Sequence, residues 1–173
     1  MKRYFHIFTL AALSIIISGC SNLAVMKQVE RIGSSTDKNT ALVNFVRPAI
    51  FLGDGVDFEV WDGSSFIGTL SAGTMLQYVA QPGEHPFMIN PTRGGAWAYK
   101  NLAVTAGSVY YLKPNITVVA GLKIGVADST DSRIEVWNRT LTPMAIDKSE
   151  SKEVPKESIA QANENLSRFK QRQ

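Results

Sequence analysis

Between residues 40 and 137 the apolar positions fall in short runs of β-branched and aromatic residues, separated by Gly, Pro, Asp and Asn. That punctuation is the mark of strands joined by tight turns. The runs predict strands at 41–47, 56–61, 66–70, 74–79, 85–90, 98–105, 109–113 and 133–137. In the second of these Val56, Phe58 and Val60 share one face while Asp57 and Glu59 take the other, so the expected strand has a core side and a wet side. Asp62-Gly63-Ser64-Ser65, Pro82-Gly83 and Ala106-Gly107 supply the turns. No helix-length crossover interrupts the series. The expected fold is therefore all-β, an antiparallel β-sandwich of immunoglobulin or transthyretin type over 40–138, a length that can close a core without disulfides.

The flanks have a different pattern. Residues 20–39 are polar, include Gly33-Ser34-Ser35-Thr36, and read as a tether. Residues 139–173 read as a charged linker followed by a C-terminal amphipathic helix, in which Ile159, Ala162, Leu166 and Phe169 recur at helical spacing after Pro155. That stripe either docks on its own sandwich or is the face offered to a partner, because a lone short helix is marginal in water.

At the N-terminus Lys2 and Arg3 precede an apolar run from Ile7 to Ile17, which meets Ser18 and Gly19 and stops at Cys20. This order belongs to an export signal, 1–19, and the run is shorter than the ~20 apolar residues that a membrane-spanning helix needs. Ile17-Ser18-Gly19-Cys20 resembles the lipobox of bacterial lipoproteins. The resemblance implies cleavage before Cys20, lipidation of its thiol with a diacylglycerol, acylation of the new amine (typically palmitate), and anchoring to a bilayer. Ser21, where an inner-membrane retention signal would place Asp, points to the outer membrane, with the domain facing the periplasm.

Composition sharpens that picture in two ways. Cys20 is the chain's one cysteine, which excludes an internal disulfide and a Cys-rich metal or cluster site. The formal charge of +3 includes Lys2 and Arg3, so the chain from Cys20 onward carries 16 basic and 15 acidic residues. That near-neutral balance offers no electrostatic footprint for nucleic acid.

The candidate chemistry is sparse. His85 is the one histidine after the signal, and it follows a turn, so it is read as structural. A Ser–His–Asp triad would need it as base and finds no nucleophile signature. Asp54, Asp57, Glu59 and Asp62 could supply oxygen ligands to calcium, yet they miss the EF-hand spacing and fit an exposed strand face. Paired carboxylates for glycoside hydrolysis cannot be placed from sequence. Gly121-Leu122-Lys123-Ile124-Gly125 reads as a glycine-punctuated connection, and the sequons at Asn115 and Asn138 as coincidences. No catalytic residue, metal ligand or cofactor is assigned. Among Trp61, Trp97, Tyr99, Tyr110 and Tyr111, the pair Trp97 and Tyr99 shares strand parity beside the loop Arg93-Gly94-Gly95. Trp97, Tyr99 and Arg93 are the candidate ligand contacts, a stacking platform for a sugar or peptide.

Ala41-Leu42-Val43-Asn44-Phe45-Val46-Arg47-Pro48, Gly53, the run from Val56 to Asp62, Ile67-Gly68-Thr69-Leu70, Gly73-Thr74, Pro82-Gly83-Glu84-His85 and Ala106-Gly107-Ser108-Val109-Tyr110-Tyr111-Leu112 together resemble a domain family of unknown function. Its members are small β-sandwich envelope lipoproteins related to the PEGA-like surface modules. The resemblance covers 41–112 and implies no catalytic residue. Asn44 inside the first strand and the Arg93-Gly94-Gly95 loop depart from the pattern. Three functions follow as expectations: a non-enzymatic structural or interaction module for another envelope protein, a glycan or peptidoglycan-binding module, and, last, a hydrolase.

Overall fold

The seven residues Ala41–Arg47 are buried without exception, which requires cover on both faces of one strand. The computed structural model, which describes residues 23–33, 38–49, 55–117 and 121–172, shows how this is done; the apolar run, Cys20 and Asp54 lie outside the described residues. In chain order the elements are β1 (Met26–Gln28), β2 (Ala41–Arg47), β3 (Phe58–Asp62), β4 (Ser65–Leu70), β5 (Thr74–Ala80), β6 (Gly83–Pro91), β7 (Ala98–Val104), β8 (Val109–Thr117), β9 (Gly121–Val126), α1 (Arg133–Thr140), β10 (Thr142–Ile146) and α2 (Lys156–Lys170). The strands form a six-stranded sheet in the order β1-β10-β5-β2-β8-β9 and a four-stranded sheet in the order β4-β3-β6-β7.

One core lies between the sheets. Ala41, Val43 and Phe45 of β2, Leu76 of β5 and Leu112 of β8 face Phe58 and Val60 of β3, Leu70 of β4, and Phe87 and Ile89 of β6. Phe45 meets Phe87 edge to face at 5.2 Å. The alternation read from Val56, Phe58 and Val60 is thus the inner face of β3. The four-stranded sheet is antiparallel throughout. In the six-stranded sheet β10 and β5 run parallel, as do β2 and β8, because the chain crosses to the other sheet between them.

Several expectations are corrected. Residues 133–137 are not a strand but the start of α1. Asp131 accepts from the Arg133 backbone N–H at 3.0 Å and starts the turn, and Trp137 and Leu141, with Ile134, form a helical stripe on Val46 and Met75. The glycine-punctuated connection is β9: Ile124 enters the core, and a Cβ on Gly125 would collide with Asn115 of β8. The six-stranded sheet also takes in β1, from the segment read as tether, and β10, from the segment read as linker.

Both outer faces are covered. Over the six-stranded sheet, Asn44 accepts from Gln77 Nε2 at 3.0 Å. Gln77 in turn holds the backbone N–H and carbonyl of Ile32 at 2.8 and 3.2 Å. Arg31 donates to the Leu141 carbonyl at 2.6 Å, so residues 29–33 and α1 together form the cover. Asn44 is the polar anchor of that cover.

Candidate functional site

Trp97 and Tyr99 lie on the outer face of the four-stranded sheet, as their parity implies, but that face is not open. α2 lies on it, with Ala162 fully buried against Trp61 and Met88, and Ile159, Leu166 and Phe169 half-buried around Phe66, Trp97 and Tyr99. Phe169 stacks on Tyr99 with centroids 5.1 Å apart. Trp97 leans on Trp61 at 6.1 Å, and Trp61 meets Phe66 edge to face at 5.2 Å. The residues singled out as a ligand platform and those singled out as a helix face thus occupy each other. The driving force is burial: two amphipathic surfaces that would each be exposed alone remove one another from water. Arg93 sits exposed in the turn between β6 and β7, where Gly94 donates to the Pro91 carbonyl at 3.0 Å.

The polar half of the same face is a cross-strand row, Thr69–Glu59–Asn90. Asn90 Nδ2 donates to Glu59 Oε2 at 3.0 Å. Burial pushes the Glu59 carboxyl above the usual carboxylate range, against the pull of the Asn90 amide and the Trp61 indole N–H. The side of β3 expected to be wet is therefore half-buried at Glu59 and fully buried at Trp61.

Asp62 points the other way, toward the gap between the sheets. Its Oδ2 accepts from Tyr78 Oη at 2.9 Å and meets His85 Nδ1 at 2.6 Å. Burial first, then the hydrogen bond and negative charge of Asp62, push the Tyr78 phenol up to about 12. His85 Nε2, the nitrogen a triad would leave for its nucleophile, donates to the Gln81 carbonyl at 2.7 Å. The ring also stacks on Phe87 at 5.4 Å. This arrangement ties one sheet to the other and holds both ring nitrogens in use. The carboxylates considered as a calcium cluster are likewise dispersed: Asp57 lies 3.7 Å from Arg47, Glu59 holds Asn90 and Asp62 holds Tyr78 and His85.

An open concave feature lies elsewhere among the described residues, where β7, β8 and β9 meet α1. It is a groove of about 590 Å³ lined by Leu102, Val109, Tyr110, Tyr111, Val126 and Ile134, with Asp128 at its rim. Both of its tyrosine hydroxyls and one oxygen of Asp128 are already engaged. Tyr110 Oη accepts from the Thr105 N–H at 3.0 Å. Burial raises that phenol, but bonds from Thr105 and Ser108 outweigh it and hold the group below its ordinary value. The Tyr111 hydroxyl pairs with Asn138, and Asp128 caps the turn at Thr130. What remains on offer is mainly apolar, with Val126 40% exposed. Tyr110 and Tyr111 were legible as aromatics in a strand; the groove itself was not, since it needs β9 and α1.

No family model matches the chain, and no curated protein matches it. A solved structure, the NMR structure of a protein from Eubacterium rectale, is similar with a TM-score of 0.38 and 11% identity, covering 55% of this chain and 95% of that one. A likeness that weak carries no argument. No helix among the described residues is long and apolar enough to cross a membrane.

Proposed function

We propose that the chain is an envelope lipoprotein, anchored through acylated Cys20 to the outer membrane, and that its sandwich is a non-enzymatic interaction module for another envelope protein. The observation that carries the second half is the groove: its two tyrosine hydroxyls are engaged within the domain, Asp128 Oδ1 is held by Thr130, and most of its lining side chains are apolar or aromatic. A sugar needs hydrogen-bonding groups to replace its water, whereas apolar side chains need only surface to cover. The groove therefore suits a protein segment bearing apolar side chains better than a glycan. The glycan reading loses its first platform as well, because Tyr99 is stacked by Phe169. The finer assignment of the sandwich as immunoglobulin- or transthyretin-like belongs with this reading; the parallel pair β2 and β8 departs from a purely antiparallel sandwich.

Two experiments test it. Growth with an alkyne-bearing fatty acid labels the wild-type protein and leaves Cys20→Ala unlabelled; equal labelling refutes the anchor. A photo-reactive residue in place of Val126 captures one envelope protein in cells, and Leu102→Glu in the groove abolishes that capture while Glu157 on α2 gives none. Capture of purified cell-wall fragments instead, or identical products from Val126 and Glu157, refutes the module.

A further inference from the structure

From Leu23 onward the segment read as a tether is packed onto the domain. Leu23 packs into the cluster formed by Trp61, Met88 and Ala162. Ala24 is buried. The Val25 N–H donates to Ser151 Oγ at 2.9 Å, and its carbonyl accepts from the Asp147 N–H at 2.8 Å. β1 then pairs with β10, and Val29 donates to the Pro143 carbonyl at 3.0 Å. Only Ser21 and Asn22 separate Cys20 from the first packed side chain. Three Cα–Cα steps reach at most about 11 Å, whatever their conformation.

That length decides the geometry of attachment. The polar layer on one side of a bilayer is about 5–8 Å thick, and a domain of this size has a radius of gyration of about 15 Å. A lipid-borne Cys20 at the base of that layer leaves a few ångströms of chain above it, too little for the domain to turn over. Resting on the lipidation proposed above, the geometry points to a domain whose β1–β10 edge and 147–155 loop are seated on the bilayer surface, with the β7–β9 edge and its groove facing away. β9 is five strands from β1 in the same sheet, about 24 Å across. Val25, 49% exposed, is apolar surface on the seated edge.

Charge does not direct the seating. Lys27, Lys148 and Lys152 on this edge are balanced by Asp147, Glu150 and Glu153, and Lys27 is paired to Asp147 at 3.2 Å. The partner surface is the bilayer as such, not an anionic headgroup, and the orientation is set by the short attachment.

The test uses the full lipidated protein in phosphatidylcholine vesicles, with and without phosphatidylglycerol. Acylation consumes the thiol of Cys20, so Lys148→Cys on the seated edge or Lys123→Cys on β9 gives a unique site for an environment-sensitive fluorophore. Nitroxide-headgroup lipids should quench the label at 148 several-fold more than that at 123, equally in both vesicle types. Inserting about twenty Gly and Ser residues after Ser21, a flexible reach of about 25 Å, should erase the difference. Equal quenching at the two sites in protein that floats with the vesicles overturns the seating. A difference that survives the insertion overturns the short attachment as its cause. Protein that carries no acyl mass and does not float removes the lipidation reading itself, and this one with it.

Discussion

Ala162→Asp should detach α2 and leave the sandwich folded. Ala162 is fully buried against Trp61 and Met88, so an aspartate there would place a carboxylate in an apolar contact. Half-burying Ile159, Leu166 and Phe169 contributes about 1 kcal/mol each, and covering Trp97 and Tyr99 a similar amount, so docking is worth at most ~5 kcal/mol. The helix is marginal on its own in water, so forming it offsets part of that and leaves a net of about 3 kcal/mol. An unpaired buried carboxylate costs several kcal/mol, so lifting the helix is the cheaper outcome. Trp61 and Trp97 lie beneath α2 while Trp137 lies under α1 on the opposite side, so tryptophan emission should shift to the red only in part. If docking is worth ~3 kcal/mol, trypsin cleavage within α2 at Arg168 should accelerate about 100-fold, in proportion to the open population. Phe169→Ala, which removes only the stack on Tyr99, should cost about 2 kcal/mol and give an intermediate rate. Unchanged emission and cleavage in Ala162→Asp, with the β circular dichroism intact, would refute the docking argument.

Other consequences are equally direct. Gly68 has φ +147°, and a Cβ there would lie 2.8 Å from Leu76 Cδ1 and 3.2 Å from Met26 Cε; Gly68→Ala should destabilise by about 2 kcal/mol and lower Tm by about 4–8 °C in a thermal melt. Tyr78, held near 12, favours its neutral form in the folded state, so its contribution is complete below about pH 10 and is lost as pH rises through 12. After allowance for solvent screening that loss is about 1 kcal/mol, and denaturant midpoints at about pH 9 and 11.5 should show it in the wild type but not in Tyr78→Phe. Asn44→Ala removes the acceptor that holds Gln77 under Ile32 and should cost about 1 kcal/mol, with faster amide exchange at Ile32 as its local signature.

The strands that face the common core were readable because their chemistry is local. β2 spans the very residues of its apolar run, and Phe58 and Val60 announce the inner face of β3 by alternation. α1 was misread because Ile134, Val136 and Trp137 have high strand propensity; the spacing of Ile134, Trp137 and Leu141 after Asp131-Ser132 is the signal that finds it. β9 hid behind Gly121 and Gly125, the second of which is glycine to clear Asn115. β1 and β10 are short, polar or proline-bearing strands toward one edge, and the pairing of β1 with β10 and of β10 with β5 is a tertiary fact that no window of sequence carries. The parity of Trp97 and Tyr99 was likewise legible, whereas their cover by α2, about sixty residues later, was not.

What the flanking segments do together constrains how the domain can be grasped. A sandwich alone presents two broad outer faces, and here both are taken: one by residues 29–33 and α1, the other by α2. The segments that take them come from outside the 40–138 span whose pattern reads as the sandwich, with the exception of the first turns of α1. Access is thereby reduced to the edges and ends of the sheets. The groove between β7, β9 and α1 lies at one such edge, and Leu23 leads into the opposite one. Substitutions at Leu102 or Val126, at a partly exposed rim, should alter the proposed partner capture at little cost in stability, whereas changes at Trp61 or Phe45, both 0% exposed, act on the fold first. A domain built this way separates the surfaces that hold it together from the edge it leaves open, which is why a loss of the proposed capture without loss of Tm is the outcome to seek at the β7–β9 edge.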